Sequence, residues 1–234
     1  GPSDADWGVS VWEGVGETCR EPTICQPFFT AMDSAAPARP QAITTAPLWL
    51  AHPLGGIQLM FGTGQQLQTS DASDTQVQTI YSVWDKSGFT QRDGRLTVMD
   101  TAPIGAADTR KVLVRQALLV PTPRAESNVA EAAPSPELGY TTERAVAYTR
   151  GDNATGARGW YLDLPQEGER VLQAPVYFEG QKAIVTSTLP ANASAGESCE
   201  PGTLEHRHWL TVLNILSGRP SATPVFALPG IAGS

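Results

Sequence analysis

Three short constellations carry side chains suited to recognition or chemistry. Arg150-Gly151-Asp152 places a guanidinium and a carboxylate on either side of a glycine. The glycine permits a tight exposed bend, so both charges can project together toward a receptor cleft with a bound metal and an acidic groove. The same stretch also reads as a plain hairpin loop, because Asp152-Asn153 and Thr155-Gly156 are ordinary turn residues. His206 and His208 fall on one face of a strand; that spacing can bind zinc, with Glu205 or Cys199 assisting. The alternative is an exposed edge with two solvated imidazoles around Arg207. Cys19 and Cys25 flank an Arg-Glu-Pro-Thr-Ile loop, a spacing that suits a small disulfide in an oxidising compartment. Reduced, buried thiols are the alternative, and Cys199 is left over for a partner elsewhere.

Bond-making chemistry has little support. No G-x-S-x-G elbow, H-E-x-x-H pair or C-x-x-C pair occurs. Phe61-Gly62-Thr63-Gly64 lacks the strand-to-helix context and the lysine of a phosphate-binding loop, so it reads as a tight turn ending a strand. No catalytic residue, metal ligand or cofactor is assigned in this segment, and the expectation is a protein that is not an enzyme. The net charge of −8, with no basic run longer than two residues, argues against nucleic acid. No apolar run approaches the roughly 20 residues needed to span a bilayer. The opening Gly1-Pro2-Ser3 reads as a protease scar from expression, so a longer native protein is expected, with room for a signal peptide outside this sequence. The Asn153 and Asn192 glycosylation acceptors are irrelevant in a bacterial protein.

The elements that must position these residues are strands. Apolar segments are short and bounded by Gly, Pro, Asn or Asp. Strands are expected near Gly8–Trp12, Thr45–His52, Gly56–Thr63, Gln78–Trp84, Arg95–Asp100, Lys111–Val120, Arg144–Thr149, Gly159–Asp163, Ala174–Glu179, Gln181–Thr188, His208–Asn214 and Pro224–Leu228. The explicit turns between many of them predict sequential antiparallel hairpins in one domain spanning residues 1–234.

Internal repetition points to a propeller. Thr44 to Gly64 and Leu172 to Pro190 share one plan: Ala-Pro, an apolar strand, a glycine turn and a second apolar strand. Ser221 to Gly230 begins the same way. Tyr81 to Gly88 and Trp209 to Gly218 are each an aromatic-apolar strand, then Asp or Asn, then a Ser-Gly turn. Radially repeated units of this kind make short four-stranded antiparallel blades. Trp12, Trp49, Trp84, Trp160 and Trp209 sit inside strand patterns, which suits packing between blades. The stretch from Pro121 to Leu138, rich in Ala, Pro, Ser and Glu, reads as an exposed mobile insertion with room for a short helix at Ala125–Ala133.

With these units in place, the sequence resembles the C-terminal β-propeller domain of the type IV pilus tip-associated adhesin and assembly factor, the PilY/PilC family. Four blocks carry the resemblance in order: FFTAMDSAAPARPQAITTAPLWLAHPLGGIQLMFGTGQQL, DTQVQTIYSVWD, GWYLDLPQEGERVLQAPVYFEGQKAIVTSTLP and WLTVLNILSGRPSATPVF. It covers most of Asp6 to Phe226 outside the insertion. Ser82 stands where the family usually has glycine. The family's Asp-rich calcium loop is not found; Asp4/Asp6 and Asp71/Asp74 are too sparse for the six or more oxygens that calcium takes. The family's propeller is longer than 234 residues, so an incomplete ring is allowed.

The resemblance implies binding: a factor at the pilus tip and outer-membrane surface, exported through the periplasm. It would bind minor pilins, support pilus extension and twitching motility, and attach to host-cell receptors or surfaces. Pro121–Tyr140 and Arg150–Arg158 are the expected contact loops. Two other classes are a fragment of a quinone-dependent (PQQ-type) propeller oxidoreductase and a ligand-free structural stalk. The first needs a vicinal disulfide, a calcium site and a full ring, none of which is visible in the sequence.

Overall fold

A computed structural model describes residues 28–92, 95–99, 103–119, 138–149, 156–190, 207–220 and 225–228. The expected strand at Gly8–Trp12, the Cys19–Cys25 pair, Cys199 and His206 lie outside these residues, as does the insertion up to residue 137.

The described chain is all-β, with one short 3-10 helix at Thr69–Ser73. No described helix is long and apolar enough to cross a membrane. The strands are β1 (Leu48–Ala51), β2 (Ile57–Gly62), β3 (Thr79–Asp85), β4 (Gly88–Arg92), β5 (Arg95–Met99), β6 (Val114–Gln116), β7 (Leu118–Leu119), β8 (Leu138–Thr141), β9 (Gly159–Asp163), β10 (Val176–Tyr177), β11 (Lys182–Leu189), β12 (Arg207–Asn214) and β13 (Val225–Leu228). They form a five-stranded sheet in the order β1-β2-β3-β9-β6, a six-stranded sheet in the order β10-β11-β12-β13-β8-β7, and the β4-β5 hairpin.

The repeated sequence plan is a repeated structure. The two Ala-Pro units are the β1-β2 and β10-β11 hairpins, and β3 and β12 take the third place in each sheet. Each sheet thus holds a run of four antiparallel neighbours, β1-β2-β3-β9 and β10-β11-β12-β13. Beyond that core the sheets depart from plain four-stranded blades. β6 adds to β9 in parallel, and β8 and β7 extend the second sheet. Nor are all neighbours sequential: β3 pairs β9 across a long stretch of chain. Among the described residues the sheets do not close into a ring.

β3 shows why this arrangement holds. Residues on a strand alternate between faces, and both faces of β3 are buried. Ile80 joins Met60, Trp160, Leu162, Val185, Leu213 and Ile215 in a core between the two larger sheets. Tyr81 and Val83 join Phe61, Tyr161, Ile104 and Leu113 on the opposite face, where the segments around Ala31 and Ile104 cover the sheet. An aromatic and β-branched strand with no polar face is what a central position requires. Trp84 and Trp160 are fully buried, whereas Trp49 on edge strand β1 is 67% exposed, so that tryptophan does not pack between sheets.

Two expected elements differ. Arg144–Thr149 is not a strand: the place beside β9 belongs to β6, so Val146 packs on the core without a ladder of its own. Lys111–Val120 divides into β6 and β7, since Gln116 turns its side chain to the carbonyls of Arg144 and Ser217. Leu138, the last residue of the expected insertion, opens β8.

Candidate functional site

One end of the five-stranded sheet gathers the residues around the sequence's recognition triplet. Ile57 at the start of β2 sits opposite Asp85 at the end of β3, and Gly159 at the start of β9 sits opposite Val83. The β1-β2 turn, the β3-β4 turn and the segment entering β9 therefore meet there.

The segment entering β9 is pinned at its base. Arg158 N–H donates to the Val112 carbonyl at 2.7 Å, and the Arg158 carbonyl accepts from Trp84 N–H at 2.7 Å. Its guanidinium returns to the Trp84 carbonyl through Nε (3.2 Å) and Nη2 (3.0 Å). Burial lowers the pKa of this arginine, with Asp85 acting against the shift. Just upstream, Ala157 N–H donates to the Ala147 carbonyl at 2.9 Å, and Gly156 N–H donates to Thr149 Oγ1 at 3.1 Å. The chain leaving Thr149 and the chain arriving at Gly156 are held together. Arg150, Gly151 and Asp152 lie between those feet, outside the described residues.

Beneath this base is an aromatic cluster. The His52 ring stacks on Trp84 at 4.1 Å and meets Tyr148 edge-on at 4.6 Å, and Tyr148 meets Trp84 at 5.6 Å. Glycine makes the stack possible: Gly56, at φ 76°, presents no side chain toward the Asp85 carbonyl, which a Cβ would meet at 2.1 Å. Trp84 Nε1–H donates to the Gly55 carbonyl at 2.8 Å, and Lys86 Nζ lies 5.0 Å from the indole centre. The Tyr148 hydroxyl donates to the Leu216 carbonyl at 2.5 Å, and burial pushes its pKa up.

At the other end of β3, Arg110 ties the covering segment to the sheet. Its guanidinium makes a two-pronged pair with Asp163 at 3.0 and 2.8 Å, reaches Thr79 Oγ1 at 3.1 Å, and donates from Nε to the Met32 carbonyl at 2.8 Å. It also lies 4.5 Å over the Tyr161 ring. Burial alone pulls its pKa down, but the hydrogen bonds and charge of Asp163 outweigh it and hold the pKa above its ordinary value. Nearby, burial pushes Tyr81 up to about 12.

Arg170 plays a similar part at a loop. It donates to the carbonyls of Gly168, Gln65, Asp71 and Asp74 at 2.6 to 2.9 Å and fixes the turn carrying the 3-10 helix. Its neighbour Glu169 is buried, which raises its pKa, and accepts from Ser187 Oγ at 2.5 Å. The hydrogen bonds of these groups position loops. Sequence reasoning missed them. The available signal was charge where the pattern is otherwise apolar, as in Glu169-Arg170 before Val171.

Of the metal candidates, His208, Asp71 and Asp74 fall among the described residues. His208 Nδ1 is 3.0 Å from Thr188 Oγ1, while His206, Glu205 and Cys199 are outside the described residues. Asp71 is occupied by the backbone N–H groups of Leu67 (2.7 Å) and Gln68 (3.0 Å). Asp74 accepts from Gln76 N–H at 2.9 Å; Asp4 and Asp6 are not among the described residues. Among the described residues, no three His, Cys, Asp or Glu side chains are grouped to hold a metal. Phe61-Gly62-Thr63-Gly64 is the end of β2, where a Cβ on Gly62 would meet the Val171 side chain at 2.3 Å.

Residues 14–118 match a family model described as the PilY1 beta-propeller domain. Among solved structures, the chain is similar to the Pseudomonas aeruginosa PilY1 C-terminal domain, with a TM-score of 0.56 and 26% sequence identity. That match covers 84% of this chain and 35% of the solved chain, so the chain spans about a third of that relative's length. No curated protein matches it.

Proposed function

We propose that this chain, a PilY1-type C-terminal β-propeller domain associated with type IV pili, is a binding module of a pilus-tip factor at the cell surface, outside the outer membrane, and that its partners are minor pilins. The family and fold match carries this reading. The surface supports it. Trp49 on β1 is 67% exposed, and Val176, Tyr177 and Phe178 at β10 are 61%, 51% and 53% exposed. Among the described residues, β1 and β10 are each an outer strand of their sheet. Exposed apolar side chains on an outer strand suit a partner that adds along the edge. The module does no bond chemistry, and binding is by shape on a rigid scaffold.

A second reading concerns receptors. The closed feet at Thr149 and Gly156 favour it, because the described residues on either side of Arg150-Gly151-Asp152 are held to each other. One experiment tests both. The purified chain is passed over immobilised minor pilins and over cells bearing integrins, as wild type, Asp152→Glu and Trp49→Ser/Tyr177→Ser. Wild type binds the pilins, and the edge variant loses at least tenfold in affinity. Asp152→Glu keeps pilin binding and loses cell binding. Failure of wild type on every minor pilin sinks the pilin reading, and unchanged cell adhesion by Asp152→Glu sinks the receptor reading.

A further inference from the structure

The imidazole of His52 is the one side chain among the described residues that combines near-complete burial, a titratable ring and a ring nitrogen with no partner. Its chemistry is constrained from several sides. Leu54 N–H donates to Nδ1 at 3.1 Å, so Nδ1 must present a lone pair. The ring's single proton is then on Nε2, which is buried and makes no hydrogen bond. The turn also folds on the residue's own backbone, since His52 N–H donates to the Gly56 carbonyl at 3.0 Å and Gly55 N–H to the His52 carbonyl at 2.8 Å.

We infer that His52 is an acid-responsive latch: as the neutral Nε2–H tautomer it closes the β1-β2 turn onto Trp84 and Tyr148, and a second proton releases that end of the sheet. A proton on Nδ1 turns the Leu54 contact into donor against donor. It also places a full charge on a ring buried to within 5% of its surface, with no acceptor waiting at Nε2. The surroundings offer little compensation. Trp84 presents its indole face, which attracts a cation. Tyr148 presents a ring edge, with its hydroxyl proton committed to Leu216. The charged groups on the packed elements are Lys86 beside the indole, Arg158 on the Trp84 carbonyl, and Asp85. Asp85 Oδ1 is turned to Ser87 N–H at 2.9 Å. The two cations oppose a further positive charge, and the one carboxylate, Asp85, is already engaged by Ser87 N–H.

Burial accordingly lowers the His52 pKa from 6.5 to about 4. The sign follows from linkage: the unfolded chain takes up the proton first, so the latch is fully closed above the unfolded value and weakens as pH falls from 6.5 toward about 4. Release at Tyr148 passes to its neighbour Thr149, whose hydroxyl holds Gly156. The device is independent of which partner the domain binds.

The test follows ring nitrogens and the indole by NMR on the full chain, from about pH 7.5 to about pH 3.5. At neutral pH, the His52 Nδ1 shift is that of a lone-pair acceptor, and Nε2 carries the proton. Protonation has its midpoint near 4, and the Trp84 Nε1–H resonance moves with the same midpoint. His52→Phe keeps a ring on Trp84 and abolishes the acid shift of that resonance. An Nδ1–H tautomer at neutral pH overturns the proposal, as does protonation near 6.5 or a Trp84 resonance indifferent to the His52 titration. If His52→Phe does not fold, the wild-type titrations decide alone.

Discussion

At the scale of single residues, Arg110 shows how a loop-rich domain secures its covering segments. The sheet face around Tyr81 and Tyr161 is apolar, so a segment crossing it must bring its polar backbone to a partner. Arg110 supplies one, with donors in a fixed fork for the Asp163 carboxylate, a further donor for the Met32 carbonyl, and a planar surface against Tyr161. A lysine offers a point charge and no fork. Arg110→Ala strips Asp163 of its two-pronged partner and leaves the carboxylate with Thr79 Oγ1 at 2.9 Å and Arg115 at 3.9 Å, so it should cost about 2–4 kcal/mol of unfolding free energy, and Arg110→Lys should recover less than half of that. Urea unfolding of the three proteins measures it. Full rescue by lysine would mean that charge alone matters at this position.

At the scale of elements, turns decide where strands stop. Asn214 Oδ1 accepts from Leu216 N–H (3.0 Å) and Ser217 N–H (2.9 Å), and Asp85 Oδ1 accepts from Ser87 N–H (2.9 Å), so the two Asp/Asn-then-Ser-Gly turns share a side-chain cap. Gly218 then takes φ 65° with Trp160 so close that a Cβ would lie 2.6 Å from the indole, whereas Gly180, at φ 57°, has open space. Gly180→Ala should therefore cost about 1 kcal/mol from backbone strain alone. Gly218→Ala should cost about 2–4 kcal/mol, because overpacking against Trp160 is added. Equal costs by thermal unfolding would show that Trp160 yields without strain. These turns were legible in the sequence, and so was β9 to the residue, because an apolar pair of faces bounded by glycine and proline leaves one period. Arg144–Thr149 misled because its alternation is that of a strand, yet which neighbour takes the ladder beside β9 is a long-range matter. β8 was hidden because Leu138 adjoins the polar insertion and carries too short a pattern. The recognition triplet was legible as letters, while the His52 cluster was not, since it depends on a glycine that brings two rings together across a third strand.

At the scale of the whole molecule, the two large sheets are keyed by hydrogen bonds as well as by apolar contact. The carbonyl of Ile215 accepts from Ser82 Oγ (2.6 Å) and Trp160 Nε1 (2.9 Å), that of Leu216 from Tyr148, and that of Ser217 from Gln116 Nε2 (2.8 Å). Three successive carbonyls following β12 are thus each met by a side chain from the first sheet or from the segment leading into β9. A turn packed into an interface exposes carbonyls that the sheet ladder does not serve, and each left unmet costs about 1–3 kcal/mol. Such bonds are directional and fix the register of one sheet on the other. The attraction itself comes from the cluster of Met60, Ile80, Trp160, Leu162, Val185, Leu213 and Ile215, which draws side chains from both sheets and their flanks. Removing two keys should therefore weaken the protein without separating the sheets. Ser82→Ala with Tyr148→Phe should lower unfolding free energy by about 2–4 kcal/mol, while far-UV dichroism and tryptophan fluorescence still report one coincident transition. Two separate transitions in the double variant would show that the polar keys, and not the apolar cluster, hold the sheets as one cooperative unit.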